Sequence, residues 1–226
     1  MPRTQVVERT IYKFSELSDS AKQHAISEYS GDMGDWWDSV YEDAINIATL
    51  MGITTHKDRI YFSGFSSQGD GASFRGSYAP VAGSVDVVKA HAPGDTELHA
   101  IAQALHDLQA GCYFELHASI TTSERYNHSG AMDVEAELHG PSEARLTLDP
   151  VSVEDAYGEA GAVPNSTVLH TLPNELVKEL TTLLRDFADW IYKQLEKEYE
   201  YQTSEEVVAE MSEANGWEYD EQGNLI

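Results

Sequence analysis

Met132-Asp133-Val134-Glu135-Ala136-Glu137-Leu138 alternates apolar and acidic residues through seven positions. In an extended chain successive side chains point to opposite faces, so Met132, Val134, Ala136 and Leu138 share one face and the three carboxylates share the other. Such a segment reads as a strand of an antiparallel sheet with one face on a core. Upstream, Cys112 to Ile120 repeats the pattern. Cys112, Phe114, Leu116, Ala118 and Ile120 fall inward, with Glu115 and His117 outward. The stretch between the two, Thr122 to Gly130, is long for a tight hairpin but suits an antiparallel pair.

Working outward, Arg59 to Phe65 and Ala72 to Tyr78 read as two further strands flanking Ser66-Ser67-Gln68-Gly69-Asp70-Gly71. In the second of them Phe74, Gly76 and Tyr78 alternate with polar residues, which predicts half burial. A first strand is expected over Val6 to Phe14. Helices are expected over Ser18–Tyr29 with Ser18 as cap, over about Asp35–Met51, and over about Asp95–Gln109 closed by Gly111. The longest runs from about Asn174 to Tyr201, with Leu176, Leu180, Leu183, Leu184, Phe187, Ile191, Leu195 and Tyr199 as its apolar stripe. Thr203 with Glu206 matches a capping box that starts a short last helix ending near Asn215-Gly216, and Asp220 to Gly223 reads as a turn. Residues 140–171 carry no periodic pattern. The expected fold is α+β: an antiparallel sheet of about five strands covered on one face by helices. Residues 1–202 form the expected domain, and residues 203–226 an acidic helix and tail that the core can spare, Trp217 being its one large anchor.

Charge is the outlying property: 39 acidic against 14 basic residues, a formal net of −25. A chain so charged repels DNA, RNA and anionic membranes, and no basic patch offers direct nucleic-acid binding. Acidity of this order also serves solubility, or life in a salt-rich cell. Twelve Tyr, six Phe and four Trp supply ample core material. The single cysteine, Cys112, excludes an internal disulfide and any Cys-x-x-Cys motif. With no signal-like or membrane-length apolar segment, the host cell cytoplasm is the expected compartment.

No constellation of catalytic residues stands out, so the expectation is a non-enzyme without cofactor or metal. The Gly69-Asp70-Gly71 segment lacks the lysine of a phosphate loop and lies between strands, so a hairpin turn explains its glycines. His99 and His106 sit seven apart, not at the three-to-four spacing of helical zinc ligands. Gly-x-Ser-x-Gly is absent. The placement of the acidic residues says more. Glu115, Asp133, Glu135 and Glu137 crowd one predicted sheet face, where like charges oppose stability. From Glu198 to the end there are nine acidic residues and no Lys or Arg. Glu115, Asp133, Glu135, Glu137, Glu198, Glu200, Glu205, Glu206 and Glu210 are therefore the candidate partner-binding residues. A solvated acidic face is the plain alternative for each.

Three stretches carry a resemblance. Ile11-Tyr12-Lys13-Phe14-Ser15-Glu16-Leu17-Ser18, Asp35-Trp36-Trp37-Asp38-Ser39-Val40-Tyr41-Glu42-Asp43-Ala44, and Ile60 to Gly71 with its Ser63-Gly64-Phe65-Ser66-Ser67-Gln68-Gly69-Asp70-Gly71 signature resemble a family of phage and prophage proteins. The ending, Glu198 to Tyr201 and Asn215 to Tyr219, is similar too. Members of that family often bear the label of antitoxin in a toxin–antitoxin stability system. The resemblance implies a mobile-element setting and supplies no catalytic residue. The expected function is a phage accessory protein that inhibits a host defence protein or nucleoprotein complex, of anti-CRISPR or anti-restriction type. Its acidic surface would occupy a basic nucleic-acid groove as a DNA mimic. The alternative is an antitoxin-like protein that neutralises a basic toxin.

Overall fold

A computed structural model describes residues 8–123, 125–139 and 172–226. In chain order the elements are helices α1 (Asp19–Gly31) and α2 (Asp38–Leu50), strands β1 (Ile53–Thr54), β2 (Ile60–Phe62), β3 (Ala72–Phe74) and β4 (Gly76–Tyr78), and helices α3 (Ser84–His91) and α4 (Thr96–Gly111). Strands β5 (Leu116–Thr122) and β6 (Met132–Leu138) follow, then helices α5 (Asn174–Gln202) and α6 (Glu205–Asn215). The expected irregular stretch 140–171 lies outside the described residues. The fold is α+β, as the patterning predicts. Its strands form a four-stranded antiparallel sheet, β1-β4-β5-β6, and a separate β2-β3 pair. Among the described residues no helix is long and apolar enough to cross a membrane.

Two compact units divide the chain: Tyr41–Tyr192, and Met1–Val40 with Lys193–Ile226. In the first, β5 and β6 pair with Leu116 opposite Leu138, Ala118 opposite Ala136 and Ile120 opposite Val134. Leu116, Ala118, Ile120, Met132 and Val134 are buried, as the alternation demands. The apolar face of α4 is buried through Leu98, Ile101, Leu105 and Leu108, and that of α5 through Leu180, Leu184, Phe187 and Ile191. Phe187 meets Phe74 of β3 edge-on at 5.7 Å.

Several expectations change here. The strand read from Cys112 begins at Leu116, because Cys112 to Glu115 complete the end of α4. The amides of Cys112 and Phe114 both donate to the Gln109 carbonyl, satisfying a helix-terminal acceptor that a strand would abandon. Ala72 to Tyr78 is not one half-buried strand but two strands in different sheets. Residues 72–74 are wholly buried, and the chain turns at Arg75, whose side chain donates through Nε to the Thr122 hydroxyl at 2.7 Å. Gly76 lets β4 enter the larger sheet, since a Cβ there would collide with the Thr54 carbonyl. The strand expected from Arg59 to Phe65 is confined to Ile60–Phe62. Helix α3 and strand β1 were not legible: three valines within Ser84–His91 obscure a helix, and two residues are too few to show alternation.

In the second unit, the described part of the expected Val6–Phe14 strand contributes a single bridge, Tyr12 to Tyr219, before a 3-10 turn at Phe14–Glu16. Ser18 caps α1 as expected, its hydroxyl accepting from the Ala21 amide. Helix α6 is capped by Ser204 rather than Thr203, because the Thr203 hydroxyl already donates to the Tyr199 carbonyl. Phe14, Leu17, Ala21, Ala25, Val208 and Tyr219 form this unit's core. Residues 203–226 are thus core-forming partners of the N-terminal segment and not an appendage to a 1–202 domain. Apolar burial, absent from the charge count that marked the tail, decides this.

Candidate functional site

The signature segment builds a hairpin. Strands β2 and β3 pair with Tyr61 opposite Ser73, and the Ser63 amide extends the ladder to the Gly71 carbonyl at 3.0 Å. Inside the loop, one carboxylate oxygen of Asp70 accepts from the amides of Ser66 and Ser67 at 2.9 and 2.6 Å. These are the amides that a bound anion would need, and Asp70 engages both. Gly71 is required by close approach, since a Cβ there would meet the His128 Cβ at 2.8 Å. Phe62, Phe65 and Tyr192 stack in sequence, and the Tyr192 hydroxyl donates to the Gly64 carbonyl. The signature is therefore read as architecture. Asp70→Ala should cost about 1–2 kcal/mol, because two charge-assisted bonds go but the freed amides can meet water. Urea unfolding of the variant measures this.

The acidic strand is the more open feature. Asp133, Glu135 and Glu137 are exposed on one face of β6. Opposite them on β5 stand Thr121, Ser119 and His117. No like charge faces another across the pair, so the cross-strand repulsion expected from composition is avoided. Glu115 is not a strand residue. It lies just before β5, half-buried, its carbonyl accepting from the His139 amide at 2.7 Å. His139 Nε2 and Glu137 Oε1 are 2.6 Å apart, and the rings of His117 and His139 stack at 4.4 Å. Burial on the sheet and the neighbouring His139 hold the His117 imidazole below its ordinary range, against an upward pull from Glu137. His117 therefore adds no charge at neutral pH to offset the carboxylates.

The same end of this strand pair carries two residues that the patterning misplaced. Tyr113 and Phe114 both adopt left-handed backbone, with φ of 54° and 58°, and are 62% and 42% exposed. Left-handed backbone costs a non-glycine residue about 1–2 kcal/mol. Two consecutive exposed aromatics held this way are unusual. No signal in a single sequence distinguishes Phe114 from an inward strand residue.

The remaining five candidates lie in the other unit. Glu198 accepts from the Gln202 amide group, and Glu205 pairs with Lys22 at 2.7 Å. Glu200, Glu206 and Glu210 are exposed. The two sets belong to different compact units. Among the described residues, no group of three or more His, Cys, Asp or Glu is arranged to hold a metal ion. Cys112 is buried, and burial, with the Glu179 carboxylate second, pushes its thiol up, away from the reactive thiolate.

A family model described as a domain of unknown function, DUF8835, matches residues 36–205. No curated protein and no solved structure matches the chain.

Proposed function

We propose that this chain, which belongs to the DUF8835 family, is a non-enzymatic binding protein whose acidic strand face occupies a basic nucleic-acid groove on a partner protein. The setting suggested by the resemblance is a phage or mobile element, with a host defence protein as partner. The observation that carries the reading is the carboxylate row of β6 and the two exposed aromatics beside it. Alternate residues of a strand repeat at about 6.8 Å, about twice the 3.4 Å axial rise between phosphates of one DNA strand. Asp133, Glu135 and Glu137 thus present negative charge at a spacing commensurate with a nucleic-acid backbone, on a strand whose backbone is already ordered. Exposed Tyr and Phe are the residue types that anchor protein interfaces. Carboxylates on the terminal strand of a sheet also discourage pairing with other chains, and the experiment must separate that role from binding.

The partner captured from host lysate should be a nucleic-acid-binding protein that raised salt and competing duplex DNA both release. The variant E115Q/D133N/E135Q/E137Q should bind it about 10–100-fold more weakly, with a shallower salt dependence. Its unfolding midpoint should be unchanged or slightly higher. Equal affinity and equal salt slope for the two proteins would remove this face from the function. Capture of a small basic toxin, insensitive to DNA, would favour the antitoxin reading instead.

A further inference from the structure

Helix α6 and the 3-10 turn at Phe14–Glu16 enclose a groove of about 500 Å³ whose floor includes Phe14, Ala209 and Trp217. Three carboxylates of α6, Glu206, Glu210 and Glu213, line it, spaced four and three residues apart and hence on one helix face. Among the described residues none of the three has a hydrogen-bond or ion-pair partner. Lys13 is the lining cation, and its ammonium is engaged by Glu218 at 3.2 Å. Glu210 and Glu213 also sit in the C-terminal half of α6, whose last turn holds no basic residue. The helix dipole is negative at that end and disfavours anions there. The groove thus combines an apolar floor with a negative potential that the protein itself leaves uncompensated.

We infer that the α6 groove is a docking site for a short cationic-apolar peptide segment of a partner protein, an arginine over the carboxylates and an aliphatic side chain against Trp217. Charge complementarity sets the occupant. A nucleic acid or an acidic peptide would be repelled, and a neutral apolar segment would leave three carboxylates partly desolvated without a counter-charge. Arginine suits the arrangement over lysine, because its planar fork of donors can span two carboxylates. The site lies in a different compact unit from the β6 face, and the inference does not depend on that face.

The test is an NMR titration of the whole chain with an acetylated five-residue peptide containing two arginines and two leucines. Saturable shifts should centre on the Trp217 indole N–H and the amides of α6 and of Lys13 to Ser15. Citrulline in place of arginine should weaken binding about tenfold or more, as should E206Q/E210Q/E213Q with the wild-type peptide. The unfolding midpoint of the triple variant should stay close to that of wild type, since losing the anions of Glu210 and Glu213 near the helix C-terminus relieves the dipole while losing that of Glu206 in the first turn forfeits a favourable contact with it. Replacing the leucines with serine should also weaken binding several-fold. Absence of saturable shifts, shifts centred elsewhere, or equal binding of the citrulline peptide would overturn the proposal. Equal binding of the serine peptide would reduce the groove to diffuse electrostatics and overturn it as well. The citrulline and serine arms use the unaltered protein, so the outcome holds even if the triple variant folds poorly.

Discussion

Tyr219→Ala should destabilise the unit containing both chain ends by about 3–5 kcal/mol, the range for removing a large aromatic from a packed core. Tyr219 is 3% exposed and its ring meets Phe14 edge-on at 6.0 Å. Its hydroxyl lies 2.6 Å from that of Ser212, which in turn donates to the Val208 carbonyl. Its backbone exchanges two hydrogen bonds with Tyr12, each 2.9 Å. Tyr219→Phe keeps the ring and should lose only about 0.5–1.5 kcal/mol, the net worth of one hydrogen bond. Truncation after Gln202 removes Val208 and Tyr219 together and strips cover from Phe14, Leu17 and Ala21. The truncated chain should therefore lose the cooperative unfolding of this unit, contrary to what the charge of the tail suggests. Guanidinium unfolding followed by tryptophan fluorescence and by amide exchange in α1 reads all three. A Tyr219→Ala loss below about 1 kcal/mol would mean that the C-terminal residues do not share the N-terminal core.

Gln109→Leu should cost about 2–5 kcal/mol in the other unit. Gln109 is buried at the end of α4, where its Nε2 donates to the Leu116 carbonyl at 2.6 Å and its Oε1 accepts from the Leu116 amide at 3.2 Å. One side chain thereby satisfies both backbone groups of the residue that opens β5. A leucine of similar volume fills the space and leaves a buried donor and a buried acceptor unpaired, each worth about 1–3 kcal/mol. Gln109→Glu separates the two halves: it can accept from the amide but cannot donate to the carbonyl while ionised. Its loss should grow as pH rises through the carboxyl's titration, since a buried charge is then imposed. A Gln109→Leu loss below about 1 kcal/mol would show that water or a shifted backbone serves Leu116 instead.

Alternation and helical periodicity were enough to place β6, the inward residues of β5, and the stripe of α5. Those signals are local: a side-chain period of two or of 3.6 depends only on the chain's own geometry. The Ser18 cap, the stop at Gly216 and the Asp220–Gly223 turn were legible for the same reason, each arising from bonds within a few residues. The same alternation places Asp133, Glu135 and Glu137 in a row on the outward face.

What the sequence could not contain is set by contacts between distant residues. Tyr12 and Tyr219 share no pattern, yet their pairing turns an apparent tail into half of a core. Arg75 divides one apparent strand between two sheets because Thr122 and Arg59 receive its donors from elsewhere in the chain. Phe114 matches the inward alternation of the strand that follows, but the end of α4 holds it and Tyr113 in left-handed backbone and leaves both exposed. Charge alone marked Glu206 and Glu210, and only the seating of α6 beside Phe14 and Trp217 joins them with Glu213 as walls of a groove. Local periodicity determines which face of an element is apolar. Which other element covers that face is a property of the folded whole, where burial and hydrogen-bond satisfaction are balanced over residues far apart in the chain.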